Sequence, residues 1–137
     1  MEIRVVRPDE FEACGNMLGR AFVDNAISRF VFTEGETRIA NLGWLFRRRV
    51  GIVAELGGTV LGAFTPEGTL IAAACLGNKT AQTPPVSLLV AQGVLMWPFY
   101  FGVLSLRRLL NVGSVCSELS TKAHGDTEYE LMMVGCD

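Results

Sequence analysis

Few side chains in this chain can take part in chemistry, and they are scattered. His124 is the only histidine, so any Ser-His or Cys-His catalytic pair would have to be built around it. No serine or cysteine stands in a nucleophile-elbow context. A histidine inside the polar stretch Ser120–Thr127 reads more simply as a solvated turn residue. The four cysteines, Cys14, Cys75, Cys116 and Cys136, form no C-x-x-C pair and have no second ligand type beside them, which argues against zinc. Asp24, at a helix end, and Glu130, beside Glu128 at a strand start, are each explained by ordinary solvation when taken alone. Trp97, Phe99, Tyr100 and Phe101 form an aromatic cluster of the kind that usually builds core.

The elements that position these residues belong to one domain, residues 1–137. Half of the residues are hydrophobic and 19% are charged, which excludes disorder. The formal net charge is −2, so nothing calls for nucleic acid, whose partners carry a basic face. The basic runs Arg47–Arg49 and Arg107–Arg108 are short and read as solvated helix faces. The start, Met1-Glu2-Ile3-Arg4, lacks the basic-then-apolar layout of a signal peptide, so a cytoplasmic protein with reduced thiols is expected. The charge-free run Val86–Leu106 is, at about 20 residues, long enough to span a bilayer. Pro98 divides it, however, and two shorter buried or cleft-lining helices are the better reading, with a membrane-associated protein as the weaker one.

Alternation predicts a first strand over Glu2–Arg7, with Ile3 and Val5 inward and Arg4 outward. Asp9 is the expected N-cap of a helix carrying Phe11, Cys14, Leu18 and Phe22, closed by Asp24-Asn25. A second helix from near Glu36 shows the stripe Ile39, Leu42, Leu45, Phe46, Val50 and Val53 and ends at Gly57-Gly58. Thr59–Phe64 and Thr69–Leu76, joined by Thr65-Pro66-Glu67-Gly68, form an antiparallel hairpin. After a loop at Thr80–Pro85 come helices Val86–Met96 and Phe99–Leu110, parted at Trp97-Pro98, the second running on toward Thr121 with a break at Gly113. Tyr129–Cys136 is the last strand. The order β-α-α-β-β-α-α-β implies an α+β fold of mixed layers on a mainly antiparallel sheet.

This order and several local sequences resemble the N-terminal part of the GNAT superfamily of acyl-CoA N-acyltransferases. Ala21-Phe22-Val23-Asp24-Asn25 followed by Phe30-Val31-Phe32 is similar to the family's segment after its first helix, with Asn25-Ala26 in place of the usual Asp-Pro. Val60-Leu61-Gly62-Ala63 and Ile71-Ala72-Ala73-Ala74 resemble its paired strands, and Thr83-Pro84-Pro85 the loop after them. His124 and Leu131-Met132-Met133-Val134-Gly135-Cys136-Asp137 resemble the family's fourth strand, with Cys136 in place of a valine. The family's glycine-rich loop, which offers backbone N–H groups to the diphosphate of the cofactor, has no counterpart in these residues. The resemblance therefore implies a GNAT-like domain truncated after its fourth strand, holding acetyl-CoA weakly and inactive by itself.

The same resemblance implies the roles. Amine acetylation needs a base for the incoming ammonium and donors for the thioester oxygen. Counting back six from Cys136 reaches Glu130, the position of the family's glutamate base. Val134 and Cys136 would offer main-chain contacts to pantetheine, and Glu130, Met132, Val134 and Cys136 are expected on one face of the strand. Asp24, Trp97 and Tyr100 would border the acceptor, a small-molecule or peptide amine of partly apolar character. With nothing after the strand to cover it, its open edge implies a homodimer. The alternative is a non-catalytic GNAT-like binding or interaction module. No metal, nucleic acid or membrane partner is expected.

Overall fold

A computed structural model of the chain describes residues 1–78, 85–124 and 129–137. Strand β1 (Glu2–Val5) leads through a 3-10 turn at Pro8–Glu10 into helices α1 (Phe11–Phe22), α2 (Ala26–Val31) and α3 (Gly35–Glu55). The hairpin β2 (Thr59–Phe64) and β3 (Leu70–Asn78) follows. Helices α4 (Val86–Ala91), α5 (Trp97–Phe101) and α6 (Val103–His124) then precede β4 (Tyr129–Cys136). The sheet runs β1-β2-β3-β4 with every neighbour antiparallel. The fold is thus mixed α+β with a four-stranded antiparallel sheet, as its alternation and turns imply. The expected loop over 80–85 falls outside the described residues except for Pro85.

α1 and α3 pack on each other and on one face of the sheet, α1 against β3 and β4, α3 against β2 and β3. Met17, Leu18, Val50, Val53, Val60 and Cys75 are the sealed centre of this layer. A second core joins α2, α3 and α5 through Val31, Phe32, Leu42 and Phe101, and α2 also packs on α6.

Several expectations are corrected. Ile3 and Val5 point away from the helices and are 67% and 55% exposed, while Arg4 takes the covered side. Its guanidinium lies 3.7 Å from the centre of the Phe64 ring and donates to both oxygens of Glu10, at 2.8 and 2.6 Å. A buried aromatic face and a carboxylate thus hold the charged head where an aliphatic side chain was expected. Glu10, not the exposed Asp9, stands at the N-cap of α1, and its carboxylate makes no capping bond to that helix but closes the preceding 3-10 turn by accepting from the Arg7 backbone N–H at 2.9 Å. Asn25 starts α2, which the sequence reading lacked, by accepting from the Ile27 N–H at 2.9 Å.

The apolar run after Pro85 also breaks elsewhere. Pro98 lies in the first turn of α5, where no intrahelical N–H is required of it. The chain turns instead at Gly93 and Gly102, with φ of +80° and +79°. α6 continues through Gly113 without interruption.

β4 carries a bulge. Leu131 stands opposite Leu76 and Met133 opposite Cys75, which leaves Met132 as the extra residue. The bulge overturns the expected single face. Glu130 and Met132 lie on the helix side, where Met133 and Gly135 continue it, whereas Leu131, Val134 and Cys136 look out from the opposite face.

Candidate functional site

Between the two cores lies a cavity of about 500 Å³ bounded by the end of α1, by α2, α3 and α6, and by β4. Its walls are mainly aromatic and aliphatic: Phe22 and Phe46 toward the sheet, Val31 from α2 and Phe32 just after it, Leu109 and Val112 from α6, and Met132 from β4. Helical spacing explains these contributions. Leu42, Leu45 and Phe46 repeat at three and four residues along α3, so one stripe faces the cavity. Polar groups are few. Glu130 enters from β4, Arg49 from α3, Ser28 from α2, and Cys116 and Ser117 from α6. Ser28 is buried and Glu130 half-buried, while Arg49 is exposed at the rim.

Such a space binds an apolar body and orients it by a small number of polar contacts. A carboxylate on one wall and a guanidinium on another give it both signs of charge. Among the described residues no cluster of three or more His, Cys, Asp or Glu side chains could hold a metal ion.

The bulge at Met132 is what brings Glu130 here without withdrawing Met133 from the core. Of the residues given acyltransferase roles by the resemblance, Glu130 is, among the described residues, the one that lines the cavity. Val134 and Cys136 lie on the opposite face of the same strand, and β4 is an edge strand, so one row of its backbone groups has no strand opposite among the described residues.

The other candidates lie elsewhere. Asp24 is exposed and pairs with Arg29 at 3.0 Å, which fixes it to the outside of α2. Trp97 and Tyr100 face Trp44 on α3 rather than this cavity. Tyr100 stacks on Trp44 with ring centres 4.8 Å apart, and Trp97 meets it edge-on at 6.3 Å. The Trp97 indole N–H and the Arg48 Nε are buried there without a hydrogen-bond partner. The side chain of His124 lies outside the described residues.

Arg49 and Ser28 escaped the sequence reading. Three successive arginines, each about 100° further round α3, meet three surroundings. Arg47 pairs with Glu12 at 3.3 Å, Arg48 sits 5.0 Å over the Trp44 ring, and Arg49 reaches the cavity rim. Burial pushes the Cys75 thiol up to about 11, against a smaller opposing effect of the Arg49 charge, and burial likewise pushes Cys14 up to about 12. Both are therefore packing residues in the thiol form.

No helix among the described residues is long and apolar enough to cross a membrane. No protein-family model and no curated protein matches the chain.

Proposed function

We propose that the protein is a GNAT-type N-acetyltransferase that acylates an amine with an apolar body. The observation that carries this reading is the position of Glu130, which lines an otherwise apolar cavity from a bulged edge strand. Acetyl-CoA would supply the acyl group as a thioester. The outer edge of β4 at Val134 and Cys136 suits the pantetheine amides, since strand edges offer N–H and C=O groups in alternation. The cavity walls take the apolar body of the acceptor and exclude water from it. Glu130 takes the proton released when the ammonium becomes a nucleophilic amine. Ser28, Ser117 and Arg49 supply the remaining polar contacts for orientation. A cytoplasmic location with reduced thiols accompanies the reading.

Incubating the protein, extended after β4 by a glycine-rich diphosphate loop, with acetyl-CoA and a panel of aryl- and alkylamines, with mass detection of N-acetyl products, tests the proposal. Product formation that depends on Glu130 supports it. Calorimetry on the chain without that extension should find acetyl-CoA binding weaker than submicromolar, because no glycine-rich diphosphate loop occurs in these residues. Amine binding without any transfer would instead favour the non-catalytic binding module, which the dominance of apolar walls also suits.

A further inference from the structure

The turn from α5 into α6 places apolar side chains in water with unusual density. Leu95, Met96, Phe99, Val103 and Leu104 fall within ten consecutive residues, and all are exposed, Phe99 to 83% and Val103 to 75%. Scattered surface hydrophobics need no explanation, but a contiguous projecting group does. The projection is held in place and does not hang loose. Gly93 and Gly102, both at positive φ, set the turns before Leu95 and between Phe99 and Val103, and Tyr100 and Phe101 beside the group pack against Trp44, with ring centres at 4.8 and 5.4 Å.

The segment that carries it has charge of one sign. Residues 85–117 contain no aspartate or glutamate, although the chain as a whole is net negative. The charged residues in that stretch are Arg107, exposed one turn beyond Val103, and Arg108, whose guanidinium lies 5.4 Å over the Phe30 ring.

We propose that this elbow is a docking surface for a lipid bilayer bearing anionic headgroups, on which the protein lies without spanning it. A projecting phenyl ring enters acyl chains without needing a matching pocket, whereas a protein partner would have to offer one. Basic residues just behind the apolar tip sit at headgroup level, where each adds about fivefold to partitioning on an anionic surface. A second copy of the chain on this surface would set one arginine pair against the other, with no carboxylate in residues 85–117 to offset them. The occupant that suits both the shape and the charge is therefore the lipid surface. The reading is independent of the acyltransfer proposal.

Vesicle flotation tests it, with phosphatidylcholine vesicles containing or lacking phosphatidylserine. The protein should float with the phosphatidylserine vesicles, and added salt should weaken the association. Phe99→Asp and Leu104→Asp should each lower partitioning by about tenfold or more. Both side chains are exposed, so circular dichroism should find the fold unchanged. Arg107→Glu should weaken binding to phosphatidylserine vesicles and leave phosphatidylcholine vesicles unaffected. Failure to float with either vesicle, or flotation indifferent to both aspartate variants, would overturn the proposal. So would a concentration-dependent dimer that Phe99→Asp abolishes while vesicles are ignored, because that result assigns the surface to a second copy.

Discussion

Gly19 of α1 faces Gly43 of α3 so closely that a Cβ at position 19 would stand 2.8 Å from the Gly43 backbone nitrogen. The obstacle is main chain, which a rotamer change cannot move aside, so the two helix axes would have to part. Gly19→Ala is expected to destabilise the fold by about 2 kcal/mol or more, a drop in Tm of roughly 6 °C or more. Gly113, inside α6, has nothing within 4 Å of its Cβ position. Gly113→Ala should therefore act in the opposite direction, stabilising by about 0.5–1 kcal/mol through helix propensity. Thermal melts of the two variants check both signs, and equal effects would mean that the helices are not in backbone contact at Gly19.

Glu10 links β1 to α1 and should leave a mark in acid. The hydrogen bonds from Arg4 and from the Arg7 backbone hold its carboxyl at about 2, below its ordinary 4.5. A folded-state value below the unfolded one means that the contribution is complete above about 4.5 and is lost as pH falls through about 2. Glu10→Gln should lower Tm at neutral pH, and the gap from the parent protein should close over that acid range. A constant gap from neutral pH to pH about 2 would show that the Arg4–Glu10 pair is not the source.

Boundaries were legible in the sequence where turn chemistry and alternation agreed. Thr59–Phe64 and Tyr129–Cys136 are strands over the residues read as strands. What failed had no local signature. Leu131, Met132, Met133 and Val134 are all apolar, so no polar residue interrupts the alternation to reveal the bulge that reassigns the faces. Alternation in β1 separated Ile3 and Val5 from Arg4, but which set faces the helices depends on Phe64 and Glu10, and Phe64 is remote in sequence. Pro98 was read as a break, although a proline in a first turn costs no hydrogen bond. The cavity draws on five elements, so no spacing along the chain could mark Ser28 or Arg49 as its polar members.

The proposed base makes a kinetic prediction. In a version extended after β4 by a glycine-rich diphosphate loop, with acetyl-CoA and an accepted amine, Glu130→Gln should lower the rate about a hundredfold, the low end of general-base effects, with the fold intact. The deficit should shrink as pH rises, because the acceptor then arrives without the proton that Glu130 would remove. An unchanged rate at neutral pH would return Glu130 to an orienting or purely structural role.

The cysteines divide by location. Cys14 and Cys75 are sealed in the core, with their thiols held in the protonated form, whereas Cys116 and Cys136 are exposed. A maleimide reagent near neutral pH should label Cys116 and Cys136 in the native protein, and Cys14 and Cys75 after unfolding, as read by peptide mass. Native labelling of Cys75 would indicate that β3 and β4 separate readily.

Cys136 also reports on the sheet face opposite α1 and α3, which no helix among the described residues covers. The rows Ile3–Ala63–Ala72–Cys136 and Val5–Leu61–Ala74–Val134, with Leu76 and Leu131 beside them, make that face apolar across all four strands. Strand spacing sets its area at roughly 400 Å², about half of one partner's share in a standard interface. The face alone would thus associate weakly, while the adjoining edge of β4 can add backbone hydrogen bonds to a second copy. Sedimentation is expected to find a concentration-dependent dimer, and Val134→Lys, which puts a charge on this face beside the open edge of β4, should return it to monomer. Phe99→Asp lies on a different surface and should leave the dimer intact. Met133→Lys is no substitute for Val134→Lys, because Met133 is buried on the helix side and a charge there would disrupt the core. Dimerisation should also slow the maleimide reaction at Cys136 and leave Cys116 unchanged. A parent protein that stays monomeric at high concentration, with Cys136 as reactive as Cys116 throughout, would exclude this face as a self-association surface.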